Sequence, residues 1–211
     1  MMSFSHSGNL DAIFPLSNDV KDRLNLYVDR LIAWQKKTNL IAPSTLDDIW
    51  NRHIADSLQL LAIKPDARNW LDLGSGGGFP GLVIAAIMAD YPESKVTLVE
   101  SNNKKTAFLR QVNRQMGGKA NIITGRIEQL DLAETIPEIV TARALAAMPL
   151  LFELSEKWLT KGAVALFHKG KDFQSELSEC DGLWDYDLLN HVSRISSESV
   201  ILEITELKRK T

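Results

Sequence analysis

The densest chemistry in this 211-residue chain lies in Asp72-Leu73-Gly74-Ser75-Gly76-Gly77-Gly78-Phe79-Pro80-Gly81. Five glycines in eight positions exceed what a tight turn needs. Glycine accepts positive φ and lets the backbone approach a ligand with no Cβ in the way. Two nucleotide registers fit. Gly76 to Gly81 satisfies G-x-G-x-x-G, the dinucleotide fingerprint. Asp72 to Gly78 satisfies D-x-G-x-G-x-G, with an acid ahead of the first glycine. Glu100 closes the next apolar run, about where a ribose-binding acid belongs when such a loop follows a strand.

Arg143, within Thr141-Ala142-Arg143-Ala144, is the side chain best suited to a substrate role. It can donate to a base carbonyl, grip a phosphate bidentately, or form a salt bridge with an acid such as Glu128. His53 and Asp56 lie three apart and Arg52 four before Asp56, a spacing for a local polar cluster on one helix. His53 then serves either as part of a lid over the pocket or as a polar anchor from helix to sheet. Lys169 and Lys171 follow the fifth predicted strand, on the edge where α/β sheets bind ligands. Lys36-Lys37, Arg110 with Arg114, Lys161 and Lys208-Arg209-Lys210 read singly as solvated charge. Four histidines without HxH or HExxH spacing, and one cysteine, predict no metal site.

These residues need elements to hold them. Apolar residues recur at helical spacing at Leu24, Tyr27, Val28, Leu31 and Trp34, then at Leu46, Ile49, Trp50, Ile54, Leu58 and Leu61. Thr45-Leu46-Asp47-Asp48 has the form of a capping box for the second run. Residues 10–62 are therefore predicted helical, and the texture changes near Lys64-Pro65-Asp66-Ala67-Arg68. Beyond it, strands are predicted at 70–73, 96–100, 121–123, 139–142 and 163–167, and helices at 80–90, 103–116, 149–159 and 172–180. Such alternation implies right-handed βαβ units and a parallel sheet covered on both faces. Two longer strands, 184–194 and 198–207, predict a closing hairpin that adds an antiparallel strand.

A charge of −3 argues against a generic nucleic-acid coat but permits a local basic face. Cys180 alone excludes an internal disulfide and reads as a small apolar filler. The longest apolar run, Leu82 to Ala89, is far short of a bilayer span. Met1 to Asn9 carries neither a basic nor an apolar signal region, so a cytoplasmic protein is expected, without a membrane partner.

Beyond the glycine loop, the chain resembles the ribosomal RNA small-subunit methyltransferase G family, also called glucose-inhibited division protein B. The resemblance rests on Asn39-Leu40-Ile41, Arg52-His53-Ile54-Ala55-Asp56-Ser57-Leu58, Asp72 through Gly81 and Ala107-Phe108-Leu109-Arg110-Gln111-Val112. Arg126-Ile127-Glu128, Thr141-Ala142-Arg143-Ala144 and Lys169-Gly170 extend it over roughly residues 20 to 175. It implies an α/β fold of the class I S-adenosylmethionine-dependent methyltransferase type. That is a Rossmann-like, mostly parallel seven-stranded sheet with helices on both faces, here residues 67–211, carrying a helical N-terminal extension at 1–66. It also implies methylation of guanine N7 in the decoding-site loop of 16S rRNA, in the small ribosomal subunit, by a protein expected to be a monomer. At matching positions it places Gly74, Phe79, Ile127, Glu128 and Arg143 in the S-adenosylmethionine site. Gly76 and Glu100 join them by fold logic, Arg143 is the expected catalytic residue, and Lys169, Lys171 and His53 are the expected substrate contacts. Ile127, Thr141 and His168 stand where the family pattern has small residues, serine, and an apolar or small residue.

The chemistry narrows by residue type. Exocyclic amine methylation often uses an Asn/Asp-Pro-Pro-aromatic loop after the fourth strand, and Thr141-Ala142-Arg143-Ala144 is not one. Pyrimidine C5 methylation needs a cysteine nucleophile, and Cys180 lies too late in the chain. Guanine N7 carries no proton, so no general base is expected. A small-molecule methyltransferase, a nicotinamide-dependent oxidoreductase and a non-catalytic RNA-binding module are the alternatives. If the loop holds the methyl donor, Gly76→Val fills the ligand's approach. Calorimetry on the folded variant should then detect no S-adenosylhomocysteine binding, and unchanged affinity contradicts the assignment.

Overall fold

Side chains alternate faces along each strand, and apolar residues at both parities make a sheet covered on both sides. The computed structural model describes residues 10–130 and 136–210; Met1 to Asn9 lies outside the described residues. The strands are β1 (Asn69–Leu73), β2 (Lys95–Glu100), β3 (Asn121–Thr124), β4 (Ile139–Arg143), β5 (Val164–Gly170), β6 (Trp184–Val192) and β7 (Ser199–Arg209). They form one seven-stranded sheet in the order β3-β2-β1-β4-β5-β7-β6. The first five pair in parallel. β7 runs antiparallel to β5 on one side and β6 on the other.

Trp70, Leu98, Ile139, Leu166 and Ile201 face one core, and Leu71, Val99, Val140, Ala165 and Leu202 face the other. The second core packs on α5 (Met148–Leu159) and α6 (Phe173–Cys180), with Cys180 buried in it as filler. The first packs on α1 (Asn18–Gln35), α2 (Asp56–Ile63), α3 (Gly81–Met88) and α4 (Asn103–Gln115). Every residue of α3 is buried, because its sequence is apolar all round. A helix with no polar face cannot be a surface helix, so α1 and α2 lie over α3 and share its core.

Three local expectations fail. Helix is not continuous through residues 10–62, because the chain turns between α1 and a short 3-10 turn at Pro43–Thr45. Thr45 caps nothing: its hydroxyl donates to the Ala42 carbonyl (2.8 Å), while Asp48 Oδ1 accepts from the side-chain Nδ2 of Asn51 (2.7 Å). A π-helical turn, Trp50–Ala55, leads into α2. β5 runs on to Gly170, because β7 pairs with it as far as Gly170–Ser199. His168 and Lys169 are therefore strand residues and only Lys171 follows the strand.

At the C-terminal end of β1, Asp72 is 1% exposed. Its carboxylate accepts from Thr141 Oγ1 of β4 (2.8 Å) and from the Gly81 amide at the start of α3 (3.2 Å). A Cβ on Gly81 would stand 2.5 Å from the same carboxylate, so only glycine allows that approach. Burial raises the Asp72 pKa from 3.8 to about 6. The protonated form is favoured by folding, so this group's contribution is complete below about pH 4 and is lost as pH rises through 6. That loss is about 3 kcal/mol. Asp72→Asn keeps a carbonyl for Gly81 and an amide for Thr141. Its Tm should therefore fall less between pH 4 and 7 than that of the parent, and parallel Tm curves contradict this.

Candidate active site

The C-terminal ends of the parallel strands open onto a cavity of about 610 Å³. The glycine loop forms its floor. The Gly76 amide donates to Glu100 Oε2 (2.8 Å), and the Asn102 amide to Glu100 Oε1 (2.7 Å). One carboxylate thus joins the loop to the start of α4. A carboxylate has about four acceptor sites, so Glu100 keeps capacity for ligand hydroxyls. Gly76 has φ +56°, and a Cβ built on it meets nothing nearer than the Gly74 carbonyl at 3.8 Å. The space beside it is open.

The N-terminal region lines another wall, through Leu40, Ile41, Ala42, Thr45 and His53. Tyr27 of α1 is fully buried and its hydroxyl donates to the Gly77 carbonyl (2.6 Å). Gln35 Oε1 accepts from the Leu40 and Ile41 amides (2.8 and 3.1 Å), holding Leu40, Ile41 and Ala42 along the cavity wall. Phe79 is clasped between the rings of Tyr27 (5.2 Å) and His53 (4.7 Å).

Arg143 ends β4 and is held from three directions. Nη1 lies 3.0 Å from His53 Nδ1, Nη2 donates to the Arg52 carbonyl (2.5 Å), and Nε lies 3.3 Å from Asp56 Oδ2. Arginine only donates, so His53 Nδ1 must accept and Nε2 carries the proton. That Nε2 lies 2.8 Å from Thr45 Oγ1, which passes its own proton to Ala42. Burial, with Arg143 and Arg52 nearby, lowers the His53 pKa to about 3. His53 is neutral, with both nitrogens engaged. The next residue, Ala144, has φ +51°, a left-handed conformation unusual for alanine.

Gly74, Gly76, Phe79, Glu100, Ile127, Glu128, Arg143 and His53 all line this cavity. His53 is both wall and anchor of helix to sheet. The salt bridge of Arg143 goes to Asp56, and Glu128 is exposed. The expected pair of Arg52 with Asp56 does not form; Arg52 contributes its carbonyl. Lys169 lines a neighbouring cavity, where it pairs with Glu176 and donates to the Ala146 carbonyl. Lys171 is exposed and lines neither. Arg110 joins α4 to β3 through the Ile122 carbonyl and Thr124, and Arg209 pairs with Glu156. Tyr27, Thr45 and Ala42 gave no functional signal in sequence, and Leu40 and Ile41 only the family resemblance. No cluster of metal-ligating side chains occurs among the described residues, nor a helix long and apolar enough to cross a membrane.

The family profile described as rRNA small subunit methyltransferase G matches residues 20–201. The chain belongs to the rRNA small subunit methyltransferase G family. It is 47% identical over 203 residues to the ribosomal RNA small subunit methyltransferase G of Brucella anthropi, covering 96% of this chain and 95% of that protein. The match to the Brucella ovis protein of the same name is 47% over 204 residues, with 96% of each covered. An O-methyltransferase from Bacillus cereus, solved in complex with SAH, shares the fold at TM-score 0.59 and 15% identity, covering 93% of this chain and 94% of that one. This member of the methyltransferase G family is thus an enzyme with S-adenosylmethionine as cofactor. The open floor at Gly76 and the spare acceptor sites of Glu100 fit a nucleoside-bearing donor.

Tyr27→Phe strands the Gly77 carbonyl in the interior while keeping the ring packing. Calorimetry should show S-adenosylhomocysteine affinity weakened by about fivefold in a folded variant, the equivalent of one buried hydrogen bond. Lower stability with unchanged affinity would make Tyr27 a packing residue only.

Proposed function

We propose that this chain methylates N7 of one guanine in the decoding-site loop of 16S rRNA. The observation that carries the reading is the hydrogen-bond state of the cavity wall beside Arg143. His53, the histidine there, has Nδ1 held by Arg143 and Nε2 by Thr45, and is neutral. Neither nitrogen of His53 is left to remove a proton. Guanine N7 presents an in-plane lone pair and no proton, so this acceptor needs only alignment and exclusion of water.

S-adenosylmethionine, when bound, supplies an electrophilic methyl group on a sulfonium. In this reading Gly74, Gly76 and Phe79 shape the loop against the donor, and Glu100 accepts from the ribose hydroxyls. Ile127 offers its backbone amide to the adenine, with Glu128 flanking it. Arg143 keeps two N–H groups beyond those used in the protein, enough to donate to guanine O6 or to a phosphate. His53 forms the wall under the base, and Lys169 and Lys171 sit at the RNA-facing edge. The N-terminal region acts as an extension of the catalytic unit that begins at residue 67, since Leu40, Ile41, Ala42, Thr45 and His53 line the cavity. In this reading the enzyme works as a monomer. Action on ribosomal subunits places the enzyme in the cytoplasm.

The test uses methyl-labelled S-adenosylmethionine with small subunits from cells lacking the protein, followed by nucleoside identification and mapping. Label in 7-methylguanosine at a single loop position is the expected result. Label in another nucleoside overturns the N7 assignment, and unlabelled rRNA with intact donor binding moves the acceptor to another class of molecule.

A further inference from the structure

β5 carries a residue whose burial the packing does not explain. His168 follows the apolar Leu166 and Phe167 and is 8% exposed. Its Nε2 lies 3.1 Å from the Asp56 carbonyl and 3.6 Å from Asp56 Oδ2. A carbonyl only accepts, so Nε2 carries the proton and Nδ1 is a bare acceptor. That Nδ1 is buried with no hydrogen-bond partner. An apolar side chain would fill the position without stranding a polar atom. The return for the histidine lies in what it holds.

Asp56 Oδ1 accepts from Gln59 Nε2 (3.0 Å), and Oδ2 faces both His168 and Arg143 Nε. Asp56 and His168 line a second cavity of about 240 Å³, adjoining the first. Arg143 and Ala144 line both cavities, so the guanidinium is part of the partition between them. Planar guanidinium geometry couples its three edges. A shift of Nε away from Asp56 moves Nη1 off His53 and Nη2 off the Arg52 carbonyl. The polar contacts form one chain across the sheet edge: His168, Asp56, Arg143, His53, Thr45, Ala42.

We propose that His168 and Asp56 are positioning residues for methyl transfer: His168 braces the Asp56 carboxylate, which fixes Arg143 as the partition between the two cavities. The proposal rests on the acceptor reading above only for its activity arm. Misplacement of a substrate-orienting group reduces turnover more than donor binding.

Three variants test it: His168→Leu, which removes the donor; His168→Gln, whose amide can replace it; and Asp56→Asn, which removes the charge. His168→Leu and Asp56→Asn should lower kcat on small subunits by on the order of tenfold, with S-adenosylhomocysteine affinity and KM within about twofold of the parent. His168→Gln should recover most of the turnover. Independently, ¹⁵N-histidine spectra should show His53 as the Nε2–H tautomer in the parent and in His168→Gln, and a mixed tautomer in the other two. Parent-like kcat and an unchanged His53 signal in His168→Leu overturn the proposal, as does a kcat loss matched by lost donor affinity. If His168→Leu fails to fold, Asp56→Asn against His168→Gln carries the same comparison. A parent that leaves rRNA unmethylated sinks the acceptor reading, and the tautomer spectra then decide the positioning chain alone.

Discussion

The architecture turns on a carboxylate kept from water. Asp72 lies next to last in β1, with one oxygen on Thr141 and the other on the first amide of α3. Two strands and a helix are thereby tied at the point where the glycine loop leaves the sheet. A buried carboxylate is costly unless its lone pairs are satisfied. Here the satisfying donors are those whose placement shapes the loop, so the floor of the site and the junction of the fold are one object. Loss of that junction would let α3 drift from β1, and the path from Gly74 to Gly81 would no longer be determined.

Another wall of the cavity belongs to the N-terminal region. α3 has no polar face, so something must cover it, and α1 and α2 do. Covering α3 brings Tyr27 onto the loop and carries the chain through Leu40 to Thr45 along the cavity rim. Core burial and site construction are therefore the same packing event. His53 and Asp56 then reach over the sheet edge to Arg143 from the turn that starts α2.

Much of this was legible in the chain. Short apolar runs between helical stretches located the seven strands, and the acid ahead of the glycines, with Glu100 on the next strand, located the cavity floor. The apolar run Leu82 to Ala89 marked a helix of core length. What stayed hidden depends on contacts distant in sequence. Local spacing made Asp56 a partner for Arg52, whereas the fold delivers Arg143 from 87 residues away. Thr45 looked like a cap because a hydroxyl and an acid had the right spacing, yet the widened π turn at Trp50–Ala55 starts the helix later. The end of β5 was misjudged because β7, not β5's own sequence, determines how far it pairs. Tyr27 gave no signal beyond its helical stripe, since a tyrosine on an apolar face reads as core until its hydroxyl has a partner.

The placement of β7 has a consequence for how the chain is made. It is translated after every other strand, yet it lies inside the sheet between β5 and β6. Until it emerges from the ribosome, β5 has an open edge and β6 has no neighbour to hold it. Open strand edges are the surfaces on which nascent chains pair with the wrong partner. A stalled or truncated product lacking residues 199–209 would therefore present that edge directly, with Phe167 and Leu166 on either face of it. The covering of β5 thus depends on β7.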